Sequence, residues 1–158
     1  MVNKTKKIVF SALLASLVCV ATMVIKIPSP LSGYINLGDG VVLLCGWFLG
    51  PVYGFLAAAV GSALADLFYG YMVYVPATFL IKGAVALIAC VLSKKTKKII
   101  SAIVAEAVMV AGYYVFEGFL YGFGASLVNV APNIVQATAG IVVGLLLMGV
   151  FKKTNIEF

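Results

Sequence analysis

The feature that most constrains this chain is the alternation of lysine clusters with long uncharged apolar runs. All 11 basic residues are lysines. Most fall in three short gaps: Lys4, Lys6 and Lys7; Lys94, Lys95, Lys97 and Lys98; Lys152 and Lys153. The stretches between them are too apolar for water. The chain is 64% hydrophobic and 10% charged, against roughly 25% charged for an average soluble domain. A globule of 158 residues cannot hide that much apolar surface, so lipid has to be its solvent. Lysines gathered between apolar runs mark a cytoplasmic membrane face rather than a nucleic-acid patch.

Six apolar segments follow, at about 8–27, 40–49, 52–69, 73–92, 99–121 and 127–151. The first is longer than the core of a secretion signal and is read as a retained helix. The second is too short to span a bilayer alone if straight, and ends at Gly50-Pro51. Six crossings put the N-terminus, the loop after the fourth segment and the C-terminus on one side, so all three clusters lie in the cytoplasm. Merging the second and third segments would leave five crossings and strand Lys152 and Lys153 outside. The expected fold is therefore an all-α integral membrane protein. Six transmembrane helices form a compact bundle with cytoplasmic termini, as one domain over residues 1–158. Localisation follows as multi-pass, in the cell membrane. Small residues at intervals of four (Ala57, Gly61, Ala65; Gly140, Gly144) suit close helix contacts.

Polar residues inside these segments are few and concentrated. At 1.5 Å per residue, Asp66, Glu117, Asn129, Asn133 and Gln136 fall in the outer half, with Tyr113 a turn from Glu117. Asn129, Asn133 and Gln136 share one helical face. Lys82 lies roughly 13 Å below the outer end of the fourth helix, with Tyr74 and Thr78 above it. Glu106 alone lies nearer the inner half, and its role is left open. Buried charges in a membrane face a cavity or pair with one another. A structural carboxylate–lysine pair accounts for some of these residues; a polar pocket open to the outside accounts for their convergence. Tyrosines and amides suit a small, flat, hydrogen-bonding ligand.

The outer loop "PSPLSGYINLG" carries Asn36, with Asp39 just after it, above the mouth of that pocket. Its glycines allow it to fold over a ligand as a lid; alternatively Asp39 caps the second helix. Three isolated cysteines and no histidine leave no metal site or disulfide framework to expect. The chain has no phosphate-cradling glycine loop, and neither a catalytic group nor a cofactor is expected.

"GYINLGDG", "GSALADLFYGYMVYVPATFLIKG" and "NVAPNIVQATAGIVVG" resemble the substrate-binding S components of energy-coupling factor (ECF) vitamin transporters. The similarity is to the riboflavin-transporter-like group, which includes proteins assigned to hydroxymethylpyrimidine and vitamin B6 compounds. The resemblance implies a six-helix protein that binds one vitamin or precursor near the outer face. It implies partnership with a transmembrane T component and two cytoplasmic ATPases, and delivery of the ligand inward. It also implies docking through small residues on the first helix, where the family's alanine-x-x-x-alanine becomes Ala12/Ser16 or Ser11/Ala15. The ligand stays open among a pyridoxine- or hydroxymethylpyrimidine-like heterocycle and riboflavin. A single tryptophan, Trp47, favours the smaller rings. The competing reading is a stand-alone secondary carrier relaying protons through Asp66, Glu106 or Glu117. It requires an inverted repeat that the sequence does not display. A membrane enzyme and a purely structural protein fit less well.

Overall fold

The computed structural model describes residues 4–31 and 33–153, the side chains of Lys152 and Lys153 excepted. The expected domain, 1–158, runs past the described residues at both ends. Among the described residues there are five long helices: α1 (Lys4–Val24), α2 (Asp39–Phe68), α3 (Val75–Ser93), α4 (Lys98–Tyr121) and α5 (Phe123–Lys153). All five are long and apolar enough to cross a membrane. A two-residue antiparallel ladder, β1 (Ile27–Pro28) with β2 (Tyr34–Ile35), closes the α1–α2 connection, pairing Ile27 with Ile35 and Pro28 with Tyr34.

The second and third apolar segments form a single element, α2, broken at Gly50. Gly50 has φ 81° and ψ −176°, a conformation that is essentially restricted to glycine, and Pro51 follows. The arms then fold back on each other. A Cβ placed on Gly54 would lie 2.6 Å from the carbonyl oxygen of Cys45, a residue about 13 Å away along a straight helix. The bend is therefore a tight helical hairpin, with arms 39–49 and 51–68.

Other boundaries move by a few residues. α1 starts at Lys4 and stops at Val24, so Ile27, expected in the first helix, belongs to β1. Val73 and Tyr74 precede α3, which starts at Val75 with Pro76 in its first turn, where a missing N–H costs nothing. α5 starts at Phe123 rather than near 127, directly after Gly122 at φ 90°.

Glycine sets the helix spacing. A Cβ on Gly46 would lie 2.2 Å from the Ala86 carbonyl oxygen, so the first arm of α2 rests on the α3 backbone. Gly140 would meet Asp39 and Gly144 would meet Gly40, which brings α5 onto the same arm. Gly61 on the second arm would meet the Ala15 carbonyl oxygen of α1 at 2.4 Å. The first arm is thus the central post of the bundle: Val42, Leu43, Leu44 and Cys45 have no exposed surface. α1 packs mainly against α2 and exposes Ile8, Val9, Leu13, Leu17, Val20 and Val24. Apolar surface of that extent is stable only against lipid or another protein.

The chain path gives the bundle two unlike ends. The loops joining α1 to α2, α2 to α3 and α4 to α5 share one end. The α3–α4 loop, with Lys94, Lys95, Lys97 and Lys98, lies at the other, together with the start of α1, the end of α5 and the Gly50 bend. Trp47 Nε1 donates to Ser101 Oγ at 3.1 Å, Lys98 Nζ lies 5.4 Å from the Trp47 ring centroid, and Phe48 packs edge-on against Phe151. The lysine-rich end is therefore tied together by side chains from α2, α4 and α5.

Candidate functional site

The polar residues meet at the end away from the lysine clusters. Asp39 opens α2, and its side chain does not cap the helix. It accepts a hydrogen bond and ion pair from Lys82 Nζ, and its Oδ2 accepts from Gln136 Nε2 at 2.7 Å. The capping reading of Asp39 is thereby corrected. This carboxylate joins α2, α3 and α5 in one buried knot, and an anion at a helix N-terminus is favourably placed on the dipole.

The first arm of α2 is short, about 16 Å at 1.5 Å per residue. The connection preceding it consequently dips into the bundle. Non-helical backbone at that depth requires partners within the protein, and it has them. The Asn36 N–H donates to Gln136 Oε1 at 3.0 Å, the Asn36 amide donates to the same oxygen at 3.3 Å, and the Gly38 N–H donates to Asn36 Oδ1 at 2.9 Å. Higher up, Tyr74 Oη lies 3.0 Å from the Leu31 carbonyl, and the Leu31 N–H donates to Asn129 Oδ1 at 3.4 Å. The connection is thus stitched to α3 and α5 along its length.

Two further carboxylates face the same interior. Tyr34 Oη donates to Asp66 Oδ1 at 2.6 Å. Burial first, and then the Asp66 charge, hold the Tyr34 phenol well above its ordinary range, so it remains a donor. Glu117 Oε1 accepts from Asn129 Nδ2 at 2.8 Å and from Tyr74 Oη at 3.2 Å. Thr78 Oγ1 and Tyr113 Oη share a 3.0 Å hydrogen bond, and Lys82 Nζ lies 5.4 Å from the Tyr113 ring centroid.

These groups surround a cavity open at its mouth, with about 490 Å³ of empty space within and above it. Nine of the expected residues line it: Asn36, Asp66, Tyr74, Thr78, Lys82, Tyr113, Glu117, Asn133 and Gln136. Asp39 and Asn129 stand one layer behind, Asp39 holding Lys82 and Gln136, and Asn129 holding Glu117. Asn133 makes no hydrogen bond to another described residue. Thr22, Ser29, Gly33, Tyr34, Ser62 and Tyr71 complete the wall and were not anticipated. For Ser62 a signal existed, since it lies one turn before Asp66 on the same helix. The others come from loops or from the last turn of α1, where spacing predicts nothing. Glu106 is outside the wall, buried in the α4 core.

At the mouth, Lys26 Nζ sits 4.1 Å from the Tyr69 ring centroid, 4.6 Å from that of Tyr71 and 5.5 Å from that of Tyr34. Tyr69 Oη donates to the Met23 carbonyl. The α1–α2 and α2–α3 connections thereby meet at the mouth of the cavity.

The small-residue positions of α1 divide. Ala12 and Ser16 are exposed, whereas Ser11 and Ala15 are half-buried and Ala15 lies on Gly61.

This architecture has known counterparts. Residues 2–153 match the family described as ECF-type riboflavin transporter, S component. The chain belongs to that family. It is therefore a member of a substrate-binding vitamin-transporter family and a multi-pass protein of the cell membrane. An uncharacterized protein from Pyrococcus woesei is 38% identical over 141 residues, 86% of this chain and 95% of that one. The thiamine precursor transporter HmpT of Lactococcus lactis subsp. cremoris (strain MG1363) is 26% identical over 130 residues, covering 82% of this chain and 76% of HmpT. Among solved structures, the S component of a bacterial ECF transporter superposes with a TM-score of 0.75 at 26% identity, covering 98% of this chain and 100% of the other. The S component for biotin from an ECF-type ABC transporter shares the fold, with a TM-score of 0.64 at 17% identity, covering 96% and 95%.

Proposed function

We propose that this protein is the membrane-embedded capture subunit of an ATP-driven ECF importer. It takes a vitamin or vitamin precursor from the outer face and releases it inward. The ligand is a pyridoxine- or hydroxymethylpyrimidine-like heterocycle or riboflavin. The observation that carries this reading is the polar cavity at the lysine-poor end, walled by residues from every helix of the bundle, with two connections meeting at its mouth.

The lysine clusters orient the molecule: the end that carries them is cytoplasmic, and the cavity then opens outward. The Gly50 hairpin supports reading α2 as two membrane segments, which gives six and places both termini inside. The chain carries no ATP-binding motif, so the driving force comes from a T component and two ATPases. The exposed Ala12/Ser16 face of α1 is the docking register that fits such a partner.

The test is native mass spectrometry of protein purified from cells grown in rich medium, with identification of any released small molecule. The expected result is one pyridine, pyrimidine or flavin per protein. Protein that carries none, and that no vitamin stabilises in a thermal-shift panel, would overturn the reading.

A further inference from the structure

The polar atoms of the cavity are unevenly satisfied. Several of its donors are engaged: Lys82 with Asp39, the Gln136 amide with Asp39, and the Tyr34 and Tyr74 hydroxyls with Asp66 and Glu117; the Asn133 amide on the α5 wall has no partner among the described residues. Carboxylate oxygens are nonetheless left over, and beside one of them a serine hydroxyl that can donate or accept. Asp66 Oδ2, Glu117 Oε2 and Ser62 Oγ are buried with no hydrogen-bond partner among the described residues, in side chains exposed by 4%, 2% and 2%. Ser62 and Asp66 stand one turn apart on the second arm of α2, while Glu117 stands on α4, with α3 between them. The surplus therefore occupies two separate walls of one cavity.

Charge is unbalanced in the same sense. The sequence has 5 acidic residues. Glu157 lies outside the described residues, and the other four, Asp39, Asp66, Glu106 and Glu117, are all buried. Lys82 is the one buried lysine among the described residues, and Asp39 neutralises it. The Lys26 ammonium is held at the mouth by tyrosine rings rather than by a carboxylate. An unmatched buried carboxylate is costly, and a ligand carrying N–H donors or positive charge would offset that cost.

We propose, resting on the capture reading above, that the ligand is a small basic heterocycle bearing an amino group. Its N–H donors are taken at one edge by Asp66 with Ser62 and at the other by Glu117. The same leftover carboxylate oxygens repel anions, so a phosphate ester of such a ligand is refused. A neutral flavin, richer in carbonyl and ring-nitrogen acceptors than in N–H donors, satisfies the walls less well.

The test is isothermal titration of ligand-stripped protein with four probes: 4-amino-5-hydroxymethyl-2-methylpyrimidine, its monophosphate, pyridoxine and riboflavin. The aminopyrimidine is expected to bind at least tenfold more tightly than the other three. D66N and E117Q are each expected to weaken it at least tenfold, and S62A less. Tighter binding of riboflavin, pyridoxine or the phosphate ester would overturn this proposal and leave the capture reading standing. Failure of all four to bind would remove both. Folded D66N and E117Q proteins that bind the aminopyrimidine normally would also overturn it. Should a variant fail to fold, the ranking of the four probes on the unmodified protein decides.

Discussion

Asn133 and Gln136 lie three residues apart on α5 and both line the cavity, yet their substitution should have different consequences. Asn133 has no hydrogen-bond partner among the described residues, so Asn133→Ala should leave the melting temperature unchanged while weakening ligand binding roughly 2- to 10-fold, the worth of one hydrogen bond. Gln136 joins Asn36 to Asp39. Gln136→Ala should lower both affinity and melting temperature, because it leaves buried groups unpaired. Thermal shift and titration on both variants separate the two roles; equal loss of stability would show that Asn133 is structural. Glu106 presents the opposite case. It is 1% exposed and both its carboxylate oxygens lack partners. Glu106→Met keeps the length of the side chain and removes the desolvated carboxyl. It should raise stability by about 1 kcal/mol or more with binding retained, whereas a drop in melting temperature would assign Glu106 a share in holding Lys82. The convergence of Lys82, Glu117 and the α5 amides was legible in the sequence because the rise per residue gives each its depth along its helix, and helical spacing sets the three α5 amides on one face. Tyr34, Tyr71 and Thr22 were not, since their positions depend on how the connections fold back, which no local period encodes.

At the scale of elements, α1 and α2 carry the sharpest expectations. Ala12 and Ala15 are separated by less than one turn but face different surroundings. Ala12→Trp projects from the exposed face and should abolish uptake by the assembled transporter while leaving ligand affinity intact. Ala15→Trp would drive an indole into the α1–Gly61 contact, and should lower stability and binding as well. Binding assays in detergent beside uptake assays in cells distinguish them, and a fully active Ala12→Trp protein would dismiss that face as the docking surface. The hairpin of α2 depends on Gly50. Gly50→Ala forces a side chain into a conformation that costs of order 1–3 kcal/mol, although nothing lies within 4 Å of the added carbon. A loss of that size in thermal stability, from backbone strain without a clash, is the expected signature. Gly50-Pro51 announced a break in the sequence. What spacing did not reveal is that the two arms pack face to face, because that contact rests on Gly54 and Gly46, and small residues are common throughout membrane helices.

The whole molecule is polarised, and that polarity yields a prediction about its placement in the membrane. Asp39 and Asp66 bracket a run of helix that would measure about 40 Å if straight, yet both reach the same interior. Lys26 meets Tyr69 and Tyr71 across two different connections. Ile27 and Met72 are therefore on one face of the bundle, and Thr96 is on the other among the lysines. With the three buried cysteines, Cys19, Cys45 and Cys90, replaced by alanine, single cysteines at Ile27, Met72 and Thr96 should report sidedness. Both Ile27 and Met72 are well exposed, at 55% and 61%. Ile27→Cys and Met72→Cys should react with a membrane-impermeant maleimide on intact cells, and Thr96→Cys only after permeabilisation. A straight α2 would place Ile27 and Met72 on opposite sides, so labelling of one without the other contradicts the hairpin. Labelling of Thr96→Cys alone from outside would instead invert the molecule. The cavity would then open to the cytoplasm, and capture from the outer face would fail while the fold stood.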